Sequence, residues 1–220
     1  MIQYIPSGDA ALILKAGDDI SPGTNALVRK LLLIIDREDI EGLIDLVPSY
    51  NELMVCYDPS VTGLHDLVGR LQRLEKDMVA MELPPASLLT IPVAYGGEFG
   101  PDLKEVADRN GLSEEEVVRI HSSTTYLVYM LGFTPGFCYL GGMDQRIATP
   151  RKENPRMKIP AGAVGIAGSQ TGIYPMASPG GWQLVGQTPV KLFDPLRKPV
   201  FMVRQGDSIR FEAVPADKYL

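Results

Sequence analysis

Residues 132–194 constrain the fold of this chain most, because Gly or Pro recurs every few positions and leaves no room for a stable helix. Gly admits backbone angles with φ > 0 and lets another chain or a ligand approach closely; Pro fixes φ and removes a donor. Between these breakers lie short runs such as Ala163–Ala167 and Trp182–Val185, which read as tightly turned strands with shaped loops. The tail VFMVRQGDSIRFEAV reads as two more strands around Gln205–Gly206–Asp207. Many short strands with turn signals favour a closed or nearly closed β-barrel.

The front of the chain is patterned differently. Ile2–Ile5 and Ala11–Lys15 read as strands around a Ser7–Gly8–Asp9 turn. After Ser21–Pro22–Gly23, Leu27, Leu31, Ile34 and Ile35 keep helical spacing. Leu43–Val47 and Leu53–Tyr57 are strand-like, a second helix carries the stripe Leu64, Leu67, Val68, Leu71, Leu74 and Met78, and Leu88–Val93 reads as a further strand. The β-α-β-β-α-β order predicts a small two-layer α/β module with helices on one face of a sheet. Met81–Pro85 ends in paired prolines that stop the helix, so the division falls at residues 1–86 and 87–220 of an α+β protein. Beyond it, Asp102–Asn110 predicts a short helix closed by Gly111. Ser113 and Glu116 form a capping-box pattern for another helix through His121.

Composition removes several function classes. The chain is 45% hydrophobic and 22% charged, enough apolar residues for a packed core, and no apolar run reaches the length of a bilayer span. The first residues lack the basic-then-apolar pattern of a secretory signal, and Cys56 and Cys138 lack metal-ligand or redox spacing, so a cytoplasmic protein with free thiols is expected. Residues 1–143 carry 10 Lys/Arg against 21 Asp/Glu, whereas residues 144–220 carry 11 against 6. An acidic front and a basic back argue against nucleic acid, which needs a continuous basic face. They allow a pocket for a small anion or a docking surface for an acidic partner.

No phosphate loop, dinucleotide fingerprint or nucleophile elbow is present; Gly168-Ser169-Gln170-Thr171-Gly172 places Gln where an elbow needs Ser. The two histidines, His65 and His121, cannot make a His-rich metal centre, so no metal site is expected. His65 sits beside an apolar helix stripe and reads as a surface or half-buried packing residue. His121 ends a capped helix, where the dipole would favour its charged form. The hydroxyls of Ser122, Ser123, Thr124 and Thr125 follow it, either as a proton-passing cluster or as a helix cap. Arg151, Lys152, Arg156 and Lys158 surround Pro150 and Pro155, and guanidinium groups there could grip a carboxylate or phosphate. Gln170 and Thr171 lie between two glycines, which would expose them to a ligand. Tyr174 and the lone Trp182 either wall a pocket or fill the core.

GFTPGFCYLGG at 132–142, TPRKENPRMKIPAGAVGIAG at 149–168, QTGIYPMASPGGWQLVGQTP at 170–189 and LFDP at 192–195 together resemble the B-subunit family of bacterial 5-oxoprolinase. That family includes the Kip inhibitor of a sporulation histidine kinase and a carboxyltransferase-like domain of urea carboxylases. YGGEFGPDL at 95–103 and IHSSTTYLVYMLGF at 120–133 extend the likeness over essentially the whole chain. The resemblance implies a cyclophilin-like β-barrel after the α/β module, and two partners, subunits C and A. Together they would use ATP to open 5-oxo-L-proline to L-glutamate, with the lone chain inactive. From their residue types rather than from the resemblance, we expect Arg151 and Arg156 to hold anionic groups, Gln170 and Thr171 to orient the lactam, and His121 to assist proton transfer. Two other functions follow from the same likeness: inhibition of a histidine kinase, and a biotin-dependent carboxyltransferase component. The second would need a separate carrier, since Met157-Lys158 lacks the flanking residues of a biotin attachment site.

Overall fold

The computed structural model describes residues 2–78 and 80–218. The chain divides into two compact units, Met1–Pro85 and Ala86–Leu220.

The first unit contains β1 (Gln3–Pro6), β2 (Ala11–Lys15), α1 (Pro22–Asp36), β3 (Leu43–Pro48), β4 (Glu52–Tyr57) and α2 (Leu64–Met78). Its four strands form one antiparallel sheet in the order β1-β2-β4-β3. Ser21 starts α1 by accepting a hydrogen bond from the Thr24 N–H at 3.2 Å, and Pro22 occupies the first turn, where a missing donor costs nothing. Val28, Leu31 and Ile35 from α1, with Leu67 and Leu71 from α2, pack on Leu12, Leu14, Leu53 and Val55 of the sheet. One face of each helix and the alternate residues of each strand thereby make a single core. The strand over Leu88–Val93 does not close this module. It pairs only within the second unit, so the two-layer module holds four strands.

The second unit contains β5 (Leu88–Tyr95), α3 (Leu103–Asn110), α4 (Glu114–Ser123), β6 (Thr125–Leu131), β7 (Cys138–Gly141), β8 (Arg156–Ile159), β9 (Ala163–Ala167), β10 (Gln170–Ile173), β11 (Ser178–Gly180), β12 (Gln183–Gln187) and β13 (Ser208–Ala213). Seven strands close a barrel in the order β10-β7-β6-β13-β5-β12-β9, and β8 and β11 pair beside it. The fold is the expected α+β arrangement of a small α/β module and a β-barrel. Only the second of the two tail strands forms; Phe201 makes just an isolated bridge to Phe193.

Glycine permits the closure. Gly162 has φ 82°, and a Cβ there would overlap the Thr188 carbonyl oxygen, so only hydrogen fits where β9 leaves its turn. The barrel interior is apolar, with Val93, Tyr126, Val128, Leu140, Ile166 and Phe211 among its buried residues. A separate buried cluster, Phe137, Ile159, Ala163, Tyr174, Trp182 and Leu184, lies outside it. Among the described residues no helix is long and apolar enough to cross a membrane.

Candidate functional site

Three groups of candidate side chains lie in the second unit. The first is centred on His121. Ser113 and Glu116 form the complete capping box of α4, and the helix runs through Ser123 with Val117, Ile120 and His121 on its buried face. His121 has no solvent-exposed surface. Its Nε2 lies 2.9 Å from Thr171 Oγ1, and its Nδ1 lies 2.7 Å from the Tyr95 hydroxyl. Thr171 gives its one hydroxyl proton to the Gly165 carbonyl at 2.9 Å, so it must accept from His121 Nε2–H. Nδ1 then accepts from the Tyr95 O–H, and the neutral ring is fully satisfied. Phe211 stacks on it at 4.6 Å between centroids. Burial drives the imidazole pKa down to about 3.

The expectation of a histidine charged by the end of its helix is therefore corrected. Desolvation inside the barrel outweighs the helix dipole. The hydroxyls that follow serve the helix as well: Ser122 donates to the Val118 carbonyl, while Ser123 and Thr124 donate to that of Ile120. Thr171, fully buried beside His121, is not exposed by its flanking glycines. Gln170 is half-buried at the start of β10, opposite Ala167.

The second group surrounds Asp102, which the sequence did not single out. Its side chain is 4% exposed. Oδ1 accepts from Arg156 Nη2 at 2.6 Å and from Lys152 Nζ at 3.1 Å, and Oδ2 accepts from the Leu184 N–H at 2.7 Å. Burial alone would raise this carboxyl's pKa; the bonds from Arg156, Leu184 and Lys152 win, and it is held below its ordinary value. Lys152 also reaches Glu105 at 2.7 Å, and Gln183 bridges Glu105 to the Pro150 carbonyl. Two carboxylates thus balance two cations. Arg156, expected to grip an external anion, instead ties β8 to the start of α3; its Nη1 is buried without an acceptor among the described residues.

The third group is an open cavity of about 90 Å³ walled by Phe133, Phe137, Tyr139, Tyr174 and Trp182. Phe137 sits at its centre and meets Phe133, Tyr174 and Trp182 edge-to-face, at 5.7, 5.0 and 5.4 Å between centroids. Burial pushes the Tyr174 phenol up to about 12, so it remains a neutral hydroxyl. Arg151 stands at the lip with its guanidinium carbon 5.9 Å from the centre of the Trp182 ring. Of the residues singled out from sequence, Arg151, Tyr174 and Trp182 meet here, while His121, Thr171, Gln170 and Arg156 lie outside the lining. Tyr174 and Trp182 are both core and wall, since each is almost wholly buried yet bounds the cavity. Phe133, Phe137 and Tyr139 were missed as wall residues. Their signal was the aromatic pair within the turn-rich GFTPGF segment.

The chain thus holds an α/β module and, in its second unit, a closed barrel and an aromatic cavity. Residues 2–203 match the family model for the carboxyltransferase domain, subdomain C and D. The 5-oxoprolinase B subunit of Bacillus subtilis (strain 168) is 43% identical, over 96% of this chain and 92% of its own length. Its namesake from Escherichia coli O157:H7 is 43% identical, over 93% of this chain and 92% of its own length. The chain belongs to the family of 5-oxoprolinase B subunits. The solved structure of TTHA0988 superposes with a TM-score of 0.82 at 40% identity, covering 94% of this chain but only 40% of that longer one.

Proposed function

We propose that this protein is the B subunit of an ATP-dependent 5-oxoprolinase and works with subunits C and A to open 5-oxo-L-proline to L-glutamate. The observation that carries the reading is the 43% identity to two proteins of that name across more than nine-tenths of both chains. The need for partners has separate support. TTHA0988 carries the same fold as 40% of one longer polypeptide, so further parts are covalently attached there that separate subunits would supply here.

The chemistry asks for several contributors. An unstrained lactam resists water because its carbonyl is stabilised by the ring nitrogen. Transfer of the γ-phosphoryl group of ATP to the lactam oxygen turns that oxygen into a leaving group and releases ADP. Water then adds at the same carbon, the ring C–N bond breaks with a proton passing to nitrogen, and a second water releases phosphate as the carboxylate forms. The aromatic cavity, at about 90 Å³, falls well below the ~300–1,000 Å³ of sites for drug-sized ligands, so it is not the seat of the nucleotide. Cys56 and Cys138 are both free thiols, in keeping with a cytoplasmic assembly.

The test is reconstitution. Purified chain mixed with subunits C and A should hydrolyse ATP in proportion to added 5-oxoproline and release glutamate, while the chain alone should do neither. Full turnover by the lone chain, or no stimulation of ATP hydrolysis by 5-oxoproline in the mixture, refutes the reading.

A further inference from the structure

The lining of the aromatic cavity specifies its ligand. Its only charged side chain is Arg151, and among the described residues that guanidinium has no ion pair or hydrogen bond. Its cationic neighbours Arg156 and Lys152 are paired with Asp102 and Glu105, and neither lines the cavity. A lone guanidinium at the mouth of an aromatic recess selects an anion and rejects a cation. The volume, about 90 Å³, is that of roughly three waters, so the recess seats only part of a small molecule and leaves the rest at its open mouth. The walls are aromatic rings, which favour a flat apolar body over a hydrated inorganic ion.

The backbone keeps the recess open. Gly180 lies so close to Tyr174 that a Cβ would stand 2.5 Å from the phenol oxygen and 2.8 Å from Ile159. Phe133 is 61% exposed and has φ 67°, the one non-glycine residue in the left-handed region among those described. For a bulky side chain that conformation costs energy and persists only when its surroundings enforce it. Hydrogen bonds do so here: Gly132 N–H to the Phe137 carbonyl, Thr134 N–H to that of Gly132, and Phe137 N–H to that of Thr134. The strain holds an exposed ring over the edges of Phe137 and Tyr174, where it forms the lip of the recess rather than part of a core.

We propose that this cavity binds a five-membered lactam carboxylate, with Arg151 taking the carboxylate and the aromatic walls packing against the part of the ring that enters. The inference rests on the 5-oxoprolinase reading and assigns the substrate of that reaction to this chain. Trp182 is the only tryptophan, so intrinsic tryptophan fluorescence of the full-length chain reports on this cavity alone. Titration with L-5-oxoproline should give a saturable change, and 2-pyrrolidone, the same ring without a carboxylate, should give none. R151M keeps the stem and removes the charge; with an unchanged melting temperature, it should weaken the response about tenfold or more. In the reconstituted complex the same variant should raise KM for 5-oxoproline by a similar factor and leave KM for ATP unchanged.

An absent response of the wild-type chain, an equal response of R151M, or an equal response to inorganic phosphate overturns the proposal. An active wild-type complex whose R151M form keeps its KM for 5-oxoproline sinks this site and spares the function. A wild-type complex with no 5-oxoproline-dependent ATP hydrolysis sinks the function, and the titration still judges the cavity.

Discussion

The second unit contains two aromatic clusters that look alike in composition and differ in what their polar members do. Tyr95, His121, Tyr126 and Phe211 meet inside the barrel, where both nitrogens of His121 have partners and Tyr126 donates to the His121 carbonyl at 2.8 Å. Phe133, Phe137, Tyr139, Tyr174 and Trp182 meet outside it, with comparable ring spacings, around a cavity whose cation has no ion pair or hydrogen bond among the described residues. Aromatic density therefore does not separate a core from a site. Polar satisfaction does, since a buried polar group is held in place by bonds that an external ligand would have to break.

The comparison breaks most directly in stability. His121→Ala should lower the unfolding free energy of the barrel unit by about 3 kcal/mol or more, because it leaves a cavity and strands the Tyr95 and Thr171 hydroxyls. R151M should change it by no more than about 1 kcal/mol, the worth of an exposed cation–π contact with Trp182. Urea unfolding followed by Trp182 fluorescence reads both. Equal costs would erase the distinction between the clusters.

Acid should act on the sealed cluster in a way the open one does not share. The unfolded chain binds a proton at His121 below its ordinary pKa of 6.5, whereas the folded chain does so only near 3. Between those values the unfolded state holds more protons, so stability falls as pH falls. The loss from pH 6.5 to about pH 4 should be roughly 3 kcal/mol. His121→Gln, which cannot titrate, should remove most of that slope. Asp102 contributes lower down: its carboxyl is held below the usual range, so its stabilisation is present above about pH 4 and disappears as pH falls through its folded value. An unchanged slope in the glutamine variant would mean that His121 is not neutral in the fold.

A subtler perturbation sharpens the contrast. Thr171→Val keeps shape and removes the hydroxyl that links His121 Nε2 to the Gly165 carbonyl, at a cost of about 1–2 kcal/mol. Because Thr171 does not line the cavity, the fluorescence response to 5-oxoproline should be preserved. Loss of that response in a variant that still folds would show that the two clusters are coupled through β10.

These clusters also mark what could be read from sequence. The capping box of Ser113 and Glu116 and the Asn110-Gly111 helix end were legible because caps are written in adjacent residues. The barrel was legible because its turns demand Gly and Pro. The surroundings of His121 were not, since Tyr95, Thr171 and Phe211 arrive from three strands far apart in the chain. Arg156 was misread for the same reason: Asp102 lies 54 residues away, and nothing local announces the pair. The turn-rich segments that carry Arg151, Tyr174 and Trp182 bring all three to the lining of one recess. Phe133 escaped notice because its importance lies in a backbone angle, which its identity would argue against.

That angle gives the smallest predicted effect and the closest test of the contrast. Phe133→Gly places at φ 67° the residue that adopts it without penalty, and it removes a ring that is 61% exposed. In a core, deleting a phenylalanine ring costs several kcal/mol; here the relief of strain should offset the small loss of contact with Phe137 and Tyr174. Stability should therefore stay unchanged or rise by up to about 1 kcal/mol, while the Trp182 response to 5-oxoproline weakens as the lip of the recess is lost. A stabilised chain with weaker ligand binding is the signature of a residue kept for function against its own conformational preference. If Phe133→Gly instead destabilises the barrel by as much as a buried ring would, the outer cluster is a second core, and the cavity is only an imperfection in its packing.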